Sequence, residues 1–504
     1  MNFIDEMKNN EKSYTENGAL GYKTSGQSIV DLNFKIPSYR TKIDIELFDK
    51  SLGENTNLTL RWLLYLRDIK EGVGERKSFR EYLLYYCQEH EELALKFLDI
   101  VDITEYGRWD DIVWLYCQDN ISYREKCILA HIIRNQIEQD KQNYLSDKPI
   151  SLLAKWLPSE NASSKETKEN AKKIRIILRL NSREYRKLLS SLRKYIDIVE
   201  RKISMNEWDK IDYSKVPSKA NLLYAQAFLR HDEERRIEYL DKVEQGKEKI
   251  NANALFLHDI IHKYKNQNPL YVYGNSSTFN KDETLELLWK AQKKIEGFSN
   301  TLVVRDGSAS MCSCIGNSEV TALDVADAIT LYCAENNSGI YKKKFLTFSH
   351  KAKVVDVSNC LTLADKLSRI IKEDDYSNTD INNVFNLVLN TALKTEAKQE
   401  DLPKTILIIS DMEFDYISNN EEILFEEIGR KFEENGYKLP KLVFWNVNSR
   451  NNVIPIQQNE NGVILLSGFS KNLMEMVMSS ELDPYNALVK VLNKKRYEVI
   501  DKIA

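Results

Sequence analysis

The sequence has few of the residues that form loops and no long hydrophobic run. Its 504 residues include only 17 Gly and 9 Pro, which predicts long regular elements with short connections. No apolar run reaches the roughly 18 residues of a transmembrane helix. The N-terminal stretch is acidic and polar rather than basic and then apolar, so we expect no signal peptide. These absences predict a cytoplasmic protein without a membrane partner.

Cysteines are few, and the charges nearly balance. The seven cysteines are odd in number and scattered, and several lie in apolar helical patterns, which is typical of a reduced intracellular protein. Cys312 and Cys314 are too isolated for a zinc site. Because the net charge is −4, the whole chain is not a polyanion binder, and any nucleic-acid site must be a local basic patch.

Two halves of the chain differ in hydrophobic periodicity. From about 42 to 295, apolar residues recur at three- and four-residue spacing, which predicts an all-α array of antiparallel helix pairs or a HEAT-like solenoid. From about 298, short apolar runs alternate with amphipathic stretches, which predicts an α/β fold with a mostly parallel sheet. The six predicted strands are "TLVVRD", "KKKFLTFS", "AKVVDV", "KTILIISD", "PKLVFWNV" and "GVILLSGF". We therefore predict a multidomain protein with a helical-repeat domain at 1–297 and an α/β domain at 298–504.

Oxygen-bearing side chains follow the predicted strands of the second half. Asp306, Ser308 and Ser310 come directly after the run "TLVV". Asp411 ends the run "KTILIIS", and Thr379 precedes a predicted helix. Ligands of parallel sheets bind at the carboxyl ends of strands. Two hydroxyls, a threonine and two acids are hard oxygen donors that suit Mg²⁺ and leave room for water.

Helix capping is the alternative explanation for these residues. Asp, Ser and Thr are common before helices because their side chains accept backbone N–H bonds. That role would fit each of Asp306, Thr379 and Asp411 taken singly. Because all three occur together, in register with the order of strands and helices, the pattern favours a metal site. We do not expect "SDMEFD" to be a catalytic acid cluster, since neither a nucleophile nor a histidine accompanies it.

This pattern resembles the metal-ion-dependent adhesion site of von Willebrand factor A domains, which have a Rossmann-like fold. The resemblance implies that Ser308 and Ser310 coordinate Mg²⁺ or another divalent cation directly. It also implies that Thr379 coordinates directly or through water, and that Asp306 and Asp411 act mainly through water. Arg305 departs from the pattern, because an apolar residue is expected at its position. Either it points to the opposite side of the strand, or it weakens the metal.

Motifs in the first half extend the resemblance to nearly the whole chain. They include "TENGALGYKTSGQSIVDLNFKI", "LLYLRDIKEGVGERKSFREYL", "EYGRWDDIVWL" and "LLAKWLPSENASS". With "DGSASM" and "SDMEF", they resemble an uncharacterised intracellular family related to the Ro autoantigen. Ro proteins join a helical-repeat TROVE module to a von Willebrand A domain. The resemblance implies helices closed into a ring that binds noncoding RNA outside and single-stranded RNA ends within.

A basic stretch offers an independent candidate for RNA contact. Residues 161–202 contain 13 Lys and Arg against 5 Asp and Glu, and the spacing places several of the cations on one helical face. Tyr185 and Tyr195 lie nearby as stacking candidates. The alternative for this stretch is a solvated helix face. For Arg76 and Lys77 the alternative is a glycine turn between helices, and for Arg108 it is pairing with the following acids, which braces a helix start. The candidate RNA-binding residues are Arg76, Lys77, Arg108, Lys155, Arg175, Arg179, Arg183, Arg186, Lys187 and Arg193.

Two further motifs do not predict a site. "HDIIH" has two histidines at zinc-ligand spacing, but it lacks the glutamate and the third ligand of a zincin, so a structural pair is expected. "GVGERKS" lacks the spacing of a P-loop. The leading hypothesis is therefore a non-enzymatic protein that binds noncoding, single-stranded or misfolded RNA, in quality control or as a ribonucleoprotein scaffold. We expect no DNA partner. The alternative is a metal-dependent protein-interaction scaffold without an RNA role.

Overall fold

The structure is a computed structural model, and the chain in it divides into two compact units. The helical unit comprises residues 60–216, 227–234 and 494–504, and the sheet unit comprises residues 1–59, 217–226 and 235–493. The predicted sequence boundary at 297/298 stays a prediction. The structure describes residues 12–268, 278–348, 351–374, 376, 380–415, 424–450, 453–455, 462–478, 481 and 483–503.

Helices dominate the chain before residue 297, as the three- and four-residue periodicity predicts. Several begin at a side-chain cap. Ser122 and Glu125 form a capping box, and so do Asn181 and Glu184, which satisfies backbone N–H groups of the first turn. The helices are α1 (Ser28–Phe34), α2 (Ile45–Glu54), α3 (Thr56–Arg67), α4 (Lys77–Glu89), α5 (Glu91–Ile100), α6 (Trp109–Cys117), α7 (Tyr123–Leu145), α8 (Leu153–Trp156), α9 (Lys165–Ile177), α10 (Ser182–Tyr195), α11 (Val199–Ser204), α12 (Ser218–His231), α13 (Glu233–Glu244), α14 (Leu257–Gln267) and α15 (Glu283–Lys290).

Buried ion pairs hold the helical unit together at the sequence motifs "LRDIKEGVGERK" and "EYGRWDD". Arg67 Nη2 lies 2.8 Å from Asp111 Oδ2, and both side chains are buried. Arg80 Nε donates to the other oxygen of Asp111 at 2.7 Å. Asp68, also buried, accepts from Arg496 and from the Tyr497 hydroxyl in the 3₁₀ helix Lys495–Lys502. The two motifs therefore bind each other and the C-terminal residues.

A six-stranded sheet forms the centre of the sheet unit. Its strand order is β5-β4-β3-β6-β7-β8, with β4 and β5 antiparallel and the other neighbours parallel. The four strands β3, β6, β7 and β8 are almost entirely buried, which explains their continuous apolar sequences. The strands are β3 (Thr301–Asp306), β4 (Lys344–Phe348), β5 (Lys353–Asp356), β6 (Thr405–Ser410), β7 (Lys441–Asn446) and β8 (Val463–Ser467).

Helices alternate with these strands and cover them. α16 (Ala322–Asn336) lies between β3 and β4 in sequence, begins at the Thr321–Asp324 capping box and contacts β3, β6 and α14. α1 and α21 (Pro484–Leu492) contact β8. A small antiparallel hairpin, β1 (Lys12–Tyr14) and β2 (Leu20–Tyr22), precedes α1. The helices after β3 are α16 (Ala322–Asn336), α17 (Leu363–Glu373), α18 (Asn382–Lys394), α19 (Leu424–Glu434), α20 (Met474–Val477) and α21 (Pro484–Leu492).

The predicted fold class is confirmed. The first half is helical, and the second half is an α/β fold in which all six predicted strands form one sheet. The strand order reverses between β3 and β6, and such a switch point is where doubly wound sheets bind ligands. Within the residues that the structure describes, no helix is both long enough and apolar enough to cross a membrane.

Candidate functional site

The carboxyl ends of β3 and β6 meet at this switch point. The two strands pair in parallel up to Arg305 opposite Ile409, which places Asp306 beside Ser410. Ser410 Oγ donates to Asp306 Oδ2 at 2.6 Å, and the backbone N–H of Met412 donates to Ser410 Oγ at 2.9 Å. Strand pairing alone therefore brings together the two loops that the sequence predicts to share a metal.

Four of the five predicted metal ligands converge here. The backbone N–H of Ser308 donates to Asp306 Oδ1 at 2.9 Å, and the hydroxyl oxygens of Ser308 and Ser310 lie 2.9 Å apart. The Ser310 side chain also hydrogen-bonds Asp411. Thr379, the fifth predicted ligand, lies outside the described residues. Asp306, Ser308, Ser310 and Asp411 form what we call the oxygen cluster.

Burial and mutual repulsion shift the acids of the cluster. Asp306 and Asp411 are both fully buried. Burial first and the charge of Asp306 second raise the pKa of Asp411 to about 7. Burial also raises the pKa of Asp306, against hydrogen bonds from Ser410 and Ser308. Two buried carboxylates that disfavour each other's charge are a place where a cation would be stabilising.

The chemistry of the cluster fits a hard divalent cation. Its donors are carboxylate and hydroxyl oxygens, which suit Mg²⁺ better than softer metals. Among the described residues, no group of three or more His, Cys, Asp or Glu has the arrangement of a metal site. The oxygen cluster is of a different kind, since half of its donors are serines. Asp306, Ser308, Ser310 and Asp411 are the residues that would hold the ion.

Arg305, unexplained by the sequence, belongs to a separate buried network. Successive residues of a strand point to opposite faces, and the guanidinium of Arg305 lies with Asp327 and Asp374 rather than with Asp306. Its Nη1 and Nη2 donate to the two oxygens of Asp374 at 2.5 and 3.0 Å, and Nη1 also donates to Thr347 Oγ1 at 3.2 Å. Of the two alternatives, the opposite side of the strand is therefore correct.

The network continues to the histidine motif of α14. Lys265 Nζ lies 2.8 Å from both Asp327 Oδ2 and Asp324 Oδ1, and His262 Nδ1 lies 2.8 Å from Asp324 Oδ2. The Lys265 side chain is buried like those of the two acids. His258, the other histidine of "HDIIH", is buried between aromatic rings. The two histidines therefore have separate structural environments.

Several residues beside the oxygen cluster were not predicted. Arg450 Nη2 lies 3.4 Å from Asp411 Oδ2 and 2.7 Å from Glu16 Oε2. Glu413 is buried and accepts from the backbone N–H groups of Glu16 and Arg450 at 2.7 and 2.9 Å. Ser410 and Glu413 flank Asp411 in sequence and were open to prediction. Nothing local to Glu16 or Arg450 indicates their place here.

Some of the candidate RNA-binding cations remain exposed. The spacing suggested one helical face, but α9 ends at Ile177 and α10 begins after the Asn181 cap, with Arg179 at φ 54° between them. The face of α10 nevertheless carries exposed cations at three- and four-residue spacing. They are the candidates Arg183, Arg186 and Lys187, together with Lys194, which was not predicted. Among the described residues, none of the four has a carboxylate within ion-pair distance.

Other candidates have protein partners. Arg193 donates to Ala154 O, Leu157 O and Ser159 Oγ at 2.6–2.8 Å, so its guanidinium fixes α10 to the α8 segment. Tyr185 is fully buried and unavailable for stacking, while the Tyr195 hydroxyl donates to Lys148 O. The remaining pairs involve Arg76 with Asp110, Lys77 with Glu81, Lys155 with Glu200, Arg175 with Glu160, and Arg108 over the Trp156 ring.

Comparisons with known proteins give matches over nearly the whole chain. Residues 126–295 match the model of a domain of unknown function, DUF2828, and residues 300–500 match that of another, DUF7788. The solved structure of the RO (RSR) protein of Deinococcus radiodurans is similar over 95% of both chains at 10% identity, with a TM-score of 0.34.

A second protein is similar in amino-acid sequence. Uncharacterized protein L728 of Acanthamoeba polyphaga mimivirus is 30% identical over 517 aligned positions, which cover 95% of this chain and 87% of that protein. Such identity over nearly the full length of both proteins is sufficient to assign a family. The chain therefore belongs to the family of the mimivirus protein L728.

Proposed function

We propose that the protein binds RNA through the exposed basic face of α10 in its helical unit. The observation that carries this proposal is that Arg183, Arg186, Lys187 and Lys194 are exposed together on one face. Phosphates attract such a face, and the release of counterions makes the attraction dependent on salt. The resemblance of the sequence motifs to the Ro-related family supports RNA as the polyanion.

Charge reversal on α10 tests RNA binding. In the Arg183→Glu/Arg186→Glu/Lys187→Glu variant, we expect at least a ~10-fold loss of affinity for a structured RNA with a single-stranded 3′ tail. Loss of three phosphate contacts should also make the negative slope of log K against log salt shallower by about 2. Filter binding over a series of salt concentrations measures both quantities.

The control keeps the same change of net charge at exposed lysines elsewhere. Lys50→Glu/Lys372→Glu/Lys394→Glu replaces exposed cations of the sheet unit. We expect it to retain most of the affinity. An equal loss in both variants, or wild-type binding without salt dependence, would contradict the proposal.

We also propose that the oxygen cluster binds Mg²⁺ or another divalent cation. Its support is the pair of buried acids Asp306 and Asp411, whose charges repel each other and which face two serine hydroxyls. The bound ion would supply charge neutralisation and an open coordination position for an anionic ligand. The chain's own residues would fix the ion at the switch point of the sheet.

Thermal unfolding in MgCl₂ tests the metal site. The wild type should gain about 2.7 kcal/mol at a Mg²⁺ concentration of 100 times Kd. Asp411→Asn removes one of two repelling buried charges, so we expect it to be at least as stable as the wild type without Mg²⁺ and insensitive to added Mg²⁺. Asp401→Asn, at an exposed position, should respond like the wild type. An undiminished Mg²⁺ response in Asp411→Asn would rule out the cluster as the site.

We infer that the protein binds its ligands without catalysing a reaction, and that it acts in the cytoplasm. All seven cysteines are free, which suits a reducing compartment. The remaining alternative is a metal-dependent protein scaffold without RNA. The two tests separate these functions, because a scaffold would keep its Mg²⁺ response and show no RNA affinity.

A further inference from the structure

A segment near the N-terminus lies against the loop that follows β6. Thr15 Oγ1 donates to Phe414 O at 2.6 Å, and Asn17 Nδ2 donates to Glu413 O at 2.7 Å. The backbone of Tyr22 pairs with that of Ile454 through two hydrogen bonds of 2.8 and 2.9 Å. We call residues 12–22 the strap. These contacts do not involve the Glu16 side chain, so the main chain of the strap is held independently of that side chain.

The Glu16 side chain extends from the strap to Arg450, which neighbours Asp411 of the oxygen cluster. Its carboxylate lies 2.7 Å from Arg450 Nη2, and the same nitrogen lies 3.4 Å from Asp411 Oδ2. The side chains of Glu16 and Arg450 are 52% and 36% exposed. An exposed ion pair contributes little net stability because water competes for both partners. The Glu16 carboxylate can therefore leave Arg450 without displacing the strap.

Arg450 has the chemistry of a carboxylate receptor. Its guanidinium presents several N–H donors in a planar fork that matches the two oxygens of a carboxylate. In the structure it already contacts a side-chain carboxylate, that of Glu16, which lies 434 positions away in sequence. Its second neighbour is Asp411, a residue that would hold the cation. A carboxylate at this place would thus meet two positive groups.

We propose that Arg450 binds an acidic side chain of a protein partner beside the metal, and that Glu16 occupies Arg450 until the partner displaces it. This inference rests on the proposed metal site and adds an anchoring residue beside it and an internal competitor. Glu16 acts as a tethered copy of the ligand. Tethering gives it a high effective concentration, so a partner must present its acid with additional contacts or at high local density.

The test uses Mn²⁺ as a paramagnetic probe in the full chain. The ligand probe is a tripeptide with a central glutamate, blocked at both ends, and its glutamine counterpart serves as the reference. Bound Mn²⁺ relaxes the side-chain protons of the glutamate peptide if the carboxylate sits beside the ion. Electron paramagnetic resonance of free Mn²⁺ measures metal binding separately.

The variants act in opposite directions. Glu16→Gln removes the competitor and should strengthen the relaxation of the glutamate peptide about two- to fivefold, as expected for the loss of an exposed ion pair. Arg450→Gln should weaken that relaxation by at least about fivefold while retaining Mn²⁺ affinity, since a positive charge next to Asp411 is lost. Glu434→Gln, which breaks the exposed Glu434–Arg430 pair, should match the wild type.

Two other results would each contradict one part of the proposal. If Mn²⁺ binds but the glutamate peptide is relaxed no more than its glutamine counterpart, or responds to neither variant, the role of Arg450 and Glu16 is wrong and the metal site stands. If the wild type does not bind Mn²⁺, the proposed metal site is wrong and this inference fails with it.

Discussion

His258 shows how a single buried side chain connects stability to pH. Its imidazole is 4% exposed and stacks on the Phe256 ring at a centroid distance of 5.1 Å. Among the described residues, its buried Nδ1 has no hydrogen-bond partner. Burial lowers the pKa of His258 to about 4. The unfolded chain, in contrast, takes up this proton near pH 6.5.

The sign of the pH effect follows from this difference. Because the folded pKa is depressed, the stability contributed by neutral His258 is fully present above pH 6.5 and is lost as the pH falls towards 4. The loss amounts to about 3 kcal/mol. His258→Phe should flatten this part of the pH dependence, measured by urea unfolding between pH 7 and 4. His131→Phe, at an exposed histidine, should leave the slope unchanged, and an unaltered slope in His258→Phe would refute the assignment.

Residues also show what a sequence can and cannot predict. The predicted ligands Asp306 and Asp411 end strands whose apolar runs are local, so their meeting follows from the parallel pairing of β3 and β6. The place of Arg305 depends on Asp327 and Asp374, which lie 22 and 69 positions away in sequence. Such distant pairings have no local pattern, so neither the Arg305 network nor Arg450 was predictable.

At the scale of elements, the strap depends on a close backbone approach. A Cβ atom on Gly21 of β2 would lie 2.5 Å from Val453 Cγ1 and 2.9 Å from Ile454 O. Gly21→Ala should therefore cost about 1–3 kcal/mol, as overpacking does. The expected signature is faster hydrogen exchange at the Tyr22 and Ile454 amides, which pair across this contact.

Gly53 in α2 provides the matched control. Among the described residues, no atom other than those of its chain neighbours and its own helix backbone lies within 4 Å of the place where its Cβ would be. Since glycine is unfavourable within a helix, Gly53→Ala should stabilise the protein by about 0.5–1 kcal/mol. If Gly21→Ala and Gly53→Ala have the same effect on stability, the strap does not pack as the structure describes.

Elements with strong periodicity were predicted, and short ones were not. Six apolar runs became six strands, and α16 and α17 begin at the Thr-x-x-Asp capping boxes that their sequences contain. The strands β1 and β2 have three residues each, too few for a periodic signal. The strap is fixed by contacts nearly 400 positions away, such as Thr15 with Phe414. Tertiary contacts rather than propensity determine such a segment.

At the scale of the whole molecule, the C-terminal residues complete the helical unit. Asp68 is buried and accepts from Arg496 Nη2 and the Tyr497 hydroxyl, each at 3.0 Å. Arg496→Gln removes the countercharge of a buried carboxylate, and we expect a loss of about 1–3 kcal/mol in urea unfolding. Arg124→Gln, which breaks an exposed pair with Glu92, should change stability by less than about 0.5 kcal/mol. Equal losses would mean that Asp68 does not depend on Arg496.

The contact between Asp68 and Arg496 can form only late in synthesis of the chain. Asp68 and Arg496 are 428 positions apart, so at about 5–20 residues per second they are synthesised roughly 20–90 s apart. Throughout that interval the nascent helical unit holds a carboxylate without its arginine. A copy truncated before Arg496 would keep this buried carboxylate without its countercharge. Its helical unit should therefore be less stable than that of the full chain, in the same direction as in Arg496→Gln.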